Sequence, residues 1–200
     1  MEHEFAQQVT DTVNSVLEGV HTAIPGKIVS YDPATGLATV KPIMKYTTPD
    51  GDSISYPDIS GVPVVYQRFR NQESVMAFPI SAGDGCLLVI AEQSLDYWLY
   101  GRETSTDLKF DLTNAICIPG MFTTGNEVAK ESCKDNAIII QHGPDVRIKM
   151  TLDKITLKIN DDLYMDIGKG DGFKMTQDVL FTGSHVHIRG NLIVDGAIIN

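Results

Sequence analysis

The sequence predicts a mainly β protein, with a small Greek-key barrel followed by an intertwined trimeric β-helix and preceded by a short N-terminal helix. Three patterns lead there. Only the first twenty residues show apolar residues at helical spacing. From residue 23 to 120 short strand-like runs alternate with Gly and Pro punctuation. From residue 136 onward a near-repeat of about nine or ten residues sets in, each unit a short strand closed by Asp, Asn or Gly.

Residues 1–22 read as the helix. Phe5, Val9, Val13, Val16, Leu17 and Val20 fall on one side, with Gln, Thr, Asn and Asp between them, and Gly19 marks the end. Such a helix either covers the end of its own domain, the expectation adopted for this chain, or docks on a partner.

Residues 23–120 read as the barrel. AIPGKIVSY and GLATVKPIM flank Asp32-Pro33-Ala34-Thr35-Gly36, where Pro fixes φ and Gly supplies a left-handed position, so a hairpin is expected. A second turn at Pro49-Asp50-Gly51-Asp52 separates YTT from SISYPDI. ISGVPVVYQ, ESVMAFPI, GCLLVIAEQS and NAICIPG follow, and the aromatic SLDYWLYG suits a single helical turn. Short strands with one brief helix suggest a barrel of the oligonucleotide/oligosaccharide-binding (OB) type. Residues 121–135 are polar and lack periodicity, which predicts a linker.

Residues 136–183 read as the β-helix. Val146, Ile148, Met150 and Leu152 alternate with Arg147, Lys149 and Thr151, and Ile155, Leu157 and Ile159 alternate with Thr156, Lys158 and Asn160. One face is therefore apolar and the other polar. A single narrow ribbon encloses nothing, so its apolar face needs a cover, and three copies wrapped about one axis would supply it. The competing expectation is a plain meander continuing the barrel domain.

In the last segment, residues 184–200, His185 and His187 stand two apart, on the same face of a predicted strand. They are either two unconnected surface residues or, if three chains meet beside that strand, six imidazoles able to form an octahedral transition-metal site. His142 reads as a surface residue beside the Gly143-Pro144 turn, and His3 and His21 as solvated.

Composition narrows the function classes. The chain has 200 residues and a net charge of −10; residues 1–135 carry 18 acidic and 9 basic side chains, residues 136–200 carry 8 and 7. An acidic surface argues against nucleic-acid binding. No run approaches the roughly 20 apolar residues of a membrane span, and the acidic N-terminus is unlike a signal peptide. Cys86, Cys117 and Cys133 lack metal-type spacing, and the first two sit in apolar runs as small buried hydrophobes. There is no Gly-x-Ser-x-Gly, no HExxH and no Walker loop, and Gly168-Lys169-Gly170-Asp171-Gly172 reads as a turn, so no enzyme is expected.

The stretches IPGKIVSYDPATGLATVKP, PDISGVPVVYQ, PISAGDGCLLVIAEQSLDYWLYG and FDLTNAICIPG, with the β-repeat and HVHIRGNLIVDGAI, resemble the central spike proteins of contractile phage tails and tail-like bacteriocins. The most specific parts are residues 83–101 and the combination of β-repeat with a terminal His-x-His. The resemblance implies a virion baseplate protein: a homotrimer docked on hub or tail tube proteins, driven through the host outer membrane by sheath contraction. It implies one iron ion per trimer, ligated by His185 and His187 of each chain, although six imidazoles also accept nickel, cobalt or zinc. The alternative is a non-catalytic OB-fold module binding a glycan or a single strand.

Overall fold

A computed structural model describes residues 2–174 apart from 49, 103–107, 161, 170 and 171. It divides the chain into two compact units, Met1–Thr124 and Gly125–Asn200.

The first unit begins with α1 (Glu2–Glu18). Its apolar stripe is not covered: Phe5, Val9, Val13, Val16, Leu17 and Val20 are 39–69% exposed. The expectation that this helix caps its own domain is corrected here. The chain leaves it through Gly19 and Val20, and the His21 N–H donates to the Phe110 carbonyl at 3.2 Å. His21 is itself half-buried, edge-on to Tyr56 at 5.7 Å, rather than solvated.

β1 (Ala23–Asp32) and β2 (Leu37–Pro42) form the expected antiparallel hairpin. The Asp32 carboxylate accepts from the Ala34 N–H and the Thr35 hydroxyl, both at 2.9 Å, and Gly36 takes φ 73°. Those bonds, Ala34 first, hold the Asp32 carboxyl below its ordinary range. β3 (Lys45–Thr47) and β4 (Ser53–Ser55) make a second hairpin, β5 (Ile59–Pro63) returns to the main sheet, and β6 (Gln67–Phe69) pairs only with β7 (Ser74–Met76). β8 (Gly85–Ile90), a short helix α2 (Asp96–Tyr100), a 3-10 turn at Leu112–Asn114 and β9 (Ala115–Pro119) complete the unit.

The main sheet runs β5-β2-β1-β8-β9. Irregular register between Ile28 and Ser30 of β1 and between Ala38 and Val40 of β2 bends it, as bulges do. The result is a curled half-barrel whose edges touch: Val64, just past β5, forms a parallel bridge with Cys117 of β9, and the Val65 N–H donates to the Cys117 carbonyl at 2.9 Å. Strict alternation fills the concave side. Ile28, Val40, Val62, Cys86, Leu88 and Cys117 are each at most 1% exposed. Gly85 is required where the chain doubles back, because a Cβ there would stand 1.8 Å from the Met121 carbonyl oxygen.

In the second unit the segment expected to be a linker carries α3 (Glu127–Asp135). The Asn126 side chain caps it, accepting from the Val128 and Ala129 N–H groups at 2.8 and 3.2 Å. Asn136 ends it at φ 47°. Apolar periodicity was absent because charge holds this helix in place. Glu131 pairs with Arg147 and Lys149, both at 2.8 Å, and Asp135 pairs with Lys149 at 2.5 Å. The sheet under it is an antiparallel meander in chain order: β10 (Ile138–His142), β11 (Val146–Met150), β12 (Lys154–Ile159), β13 (Asp162–Gly168) and β14 (Gly172–Lys174).

Two predictions follow from these contacts. Leu88→Ala removes a side chain with 0% exposure and lowers the unfolding free energy by about 2–5 kcal/mol. Val29→Ser, at a half-exposed position, changes it by less than about 0.5 kcal/mol; denaturant titration followed by circular dichroism separates them. Hydrogen bonds from Lys149 and then Arg147 hold the Glu131 carboxyl down at about 2 against an ordinary 4.5. A depressed carboxylate stabilises fully above its unfolded pKa and loses that stabilisation as pH falls through the folded one. The α3 amides should therefore keep their hydrogen-exchange protection above pH 4.5 and lose it progressively toward pH 2, and Glu131→Gln should flatten that profile.

Candidate assembly surface

In the second unit, register turns alternation into rows. Ile138 pairs with Met150, Met150 with Ile155 and Ile155 with Ile167, and one step along Ile140, Ile148, Leu157 and Met165 pair in the same way. Val146 and Ile159 add a third pair. All these positions share one face of the sheet, because paired residues in adjacent strands project to the same side. The other face holds Arg147 opposite Lys158, and Lys149 opposite Thr156 opposite Asp166.

The two faces are treated differently. On the polar face α3 contributes Glu131 and Asp135 to the Arg147 and Lys149 cations, and Lys154 pairs with Asp166 at 2.5 Å. On the apolar face Ile138 is 64% exposed, Ile140 49%, Val146 44%, Ile155 43% and Ile167 41%. The only helix of the described second unit thus lies on the side that needs it less.

In the first unit the fold gathers residues that no sequence motif linked. Tyr31, Tyr66, Arg68 and Phe78 line a cleft of about 480 Å³, with the Arg68 guanidinium 5.1 Å from the centre of the Tyr66 ring. Burial, followed by the hydrogen bond with Tyr31, pushes the Tyr66 phenol up to about 12, so it stays protonated at neutral pH. The four residues come from β1, β6 and the extended stretches around β6 and β7, so only the folding back of the chain brings them together. Beside it, Val65, Met76, Phe78, Ile118 and Phe122 line an apolar cleft of about 550 Å³.

Cys86 and Cys117 are buried in the core as expected, while Cys133 is exposed. The hydrogen bond with Cys86, then burial, pushes the Cys117 thiol up, which leaves it an inert core group. His142 ends β10 and is exposed. Among the described residues no three His, Cys, Asp or Glu side chains converge to hold a metal ion. The predicted ligands His185 and His187, and the whole segment 184–200, lie outside the described residues.

No curated protein matches this chain. Residues 24–120, which span the half-barrel from Ile24 of β1 to just past β9, match the family model described as the phage protein Gp138 N-terminal domain, and the first unit is thereby similar to the N-terminal domain of a phage protein.

Proposed function

We propose that this chain is a structural phage protein, one of three copies forming the central spike of a contractile tail baseplate. The observation that carries the proposal is the uncovered apolar face of the β10–β14 sheet. Rows whose Ile138, Ile140, Val146, Ile155 and Ile167 are left exposed mark a surface awaiting a partner. A second and third copy present the same rows, and closed three-fold symmetry would turn all three faces inward. The similarity of residues 24–120 to a phage protein's N-terminal domain supports the same reading from the other unit. Sheet order and the parallel Val64–Cys117 bridge support an OB-type barrel, in which the first strand pairs on both sides and the third and last strands close in parallel.

In this proposal the trimeric ribbon is a rigid needle. Bending or pulling it would break the backbone ladders of three sheets and open their shared apolar interior together, so it would transmit the force of sheath contraction to the outer membrane of the host. The barrels would dock on hub or tube proteins. His185 and His187 would hold the metal at the tip: their imidazoles, six per trimer, suit an octahedral first-row ion such as iron. The ion would join the three chains at one point. The work is mechanical, and no residue is assigned a catalytic role. A second reading, glycan binding by the barrel, is favoured by one observation, the aromatic and Arg-lined cleft at Tyr31, Tyr66 and Arg68.

Light scattering with elemental analysis tests the main proposal in one sample. A trimer with about one iron per three chains is expected; a monomer that binds a defined oligosaccharide and loses it in Tyr66→Ala would move the glycan reading into first place. His185→Ala with His187→Ala should remove the metal and leave the trimer. Ile140→Asp with Ile148→Asp should instead give monomers, since each places a carboxylate in the middle of the apolar rows.

A further inference from the structure

The helix α1 has its own unpartnered face. A run of 3-4-3-4 spacing joins Ala6, Val9, Val13, Val16 and Val20, with Phe5 and Leu17 flanking it. Val9, Val13 and Val16 are 47%, 50% and 65% exposed and Phe5 is 69% exposed. A 17-residue helix with such a stripe is marginal in water unless the stripe is covered.

Charge and side-chain shape choose the cover. In heptad register, with Ala6, Val13 and Val20 at a and Val9 and Val16 at d, three of the four acidic residues of the helix, those at 4, 11 and 18, fall at f, the position farthest from a bundle axis, and only Glu2, in the first turn, falls at d. Positions e and g carry no Asp, Glu, Lys or Arg: His3, Thr10 and Leu17, then Phe5, Thr12 and Gly19. The two threonines donate to their own helix, Thr10 to the Ala6 carbonyl at 2.9 Å and Thr12 to the Gln8 carbonyl at 2.8 Å. Flanking contacts between helices would therefore strand no hydroxyl. Carboxylates at f on neighbouring helices would stand more than a helix diameter of about 10 Å apart, beyond the Debye length of about 8 Å at physiological salt.

Other occupants fit less well. There is no Lys or Arg before Lys27, so an anionic lipid surface would repel this helix. β-Branched residues at d as well as a disfavour a two-stranded coil, which prefers Leu at d, and shift the preference to three or more strands.

We propose that the α1 helices of three copies of this chain pack their Val stripes together as a short parallel three-helix bundle. This rests on the trimer proposed above: two and a half heptads are too short to associate alone, and tethering through the β-ribbon supplies the effective concentration they need. The bundle would make the N-terminal end of the trimer a second, separate clamp on chain register.

The test uses the full chain with the exposed thiol removed as Cys133→Ser. Into it go Val16→Cys, at d, or Asp11→Cys, at f. Light scattering fixes the mass of each before oxidation, and non-reducing denaturing gels then follow disulfide-linked dimers. The bundle predicts that Val16→Cys cross-links at least about tenfold faster than Asp11→Cys, as an intramolecular step should. Equal rates in a trimeric sample would overturn the bundle and leave the trimer standing, with the stripe free for another protein. A monomeric mass would overturn both.

Discussion

An alternating strand has two faces, and a sheet one layer thick must satisfy both. The β10–β14 sheet meets this constraint on one side only. Ion pairs from Glu131 and Asp135 dress the polar face, and nothing among the described residues dresses the face of Ile138, Ile140, Val146 and Ile155. Fully burying one Ile or Val is worth about 1.5–3 kcal/mol relative to leaving it exposed. Since these residues are already about half covered, each has roughly half of that still to gain. Summed over these residues, the gain exceeds what the ion pairs from α3 supply, because partly exposed pairs are worth about 0–1 kcal/mol each. The larger stabilisation still open to the second unit therefore lies on its apolar face, and α3 decides which face is left.

The first unit solves the same problem by curling. Two irregularities in register bend the sheet until Val64 reaches Cys117, and the apolar side becomes an interior holding Ile28, Val40, Val62 and Leu88. A curled sheet is self-sufficient where a flat ribbon is not. The contrast explains why the first unit has a compact core cluster while the second has one buried apolar residue, Ala137, among those described. Apolar surface is nonetheless left on the first unit, at the α1 stripe, at Tyr97 and Trp98 of α2 and in the cleft by Phe78, Ile118 and Phe122.

The alternation of Val146 to Ile159 was legible in the sequence because period two is a property of the strand itself, independent of its neighbours. The Asp32-to-Gly36 hairpin was legible for a similar reason, since its carboxylate bonds its own next residues. The α3 helix was not legible: its determinants are an Asn cap and charges sixteen and eighteen residues away on β11, so no local apolar period announces it. The exposure of the α1 stripe was also out of reach, because an amphipathic pattern says that a face seeks a cover and not whether its own domain provides one. The Tyr31, Tyr66 and Arg68 cleft joins residues more than thirty positions apart, and no spacing rule reaches across such a fold.

By itself the sequence determined the local conformations: which segments are strand, where hairpins turn, and that two strand-rich regions differ in pattern. Each follows from sterics and hydrogen bonds within a few residues. Tertiary structure alone decided that the first sheet closes on itself through Val64 and Cys117, that α3 sits on the cations of β11, and that the Ile rows remain open. Those outcomes depend on register between distant strands and on long-range charge pairing. A pattern read along one chain contains neither.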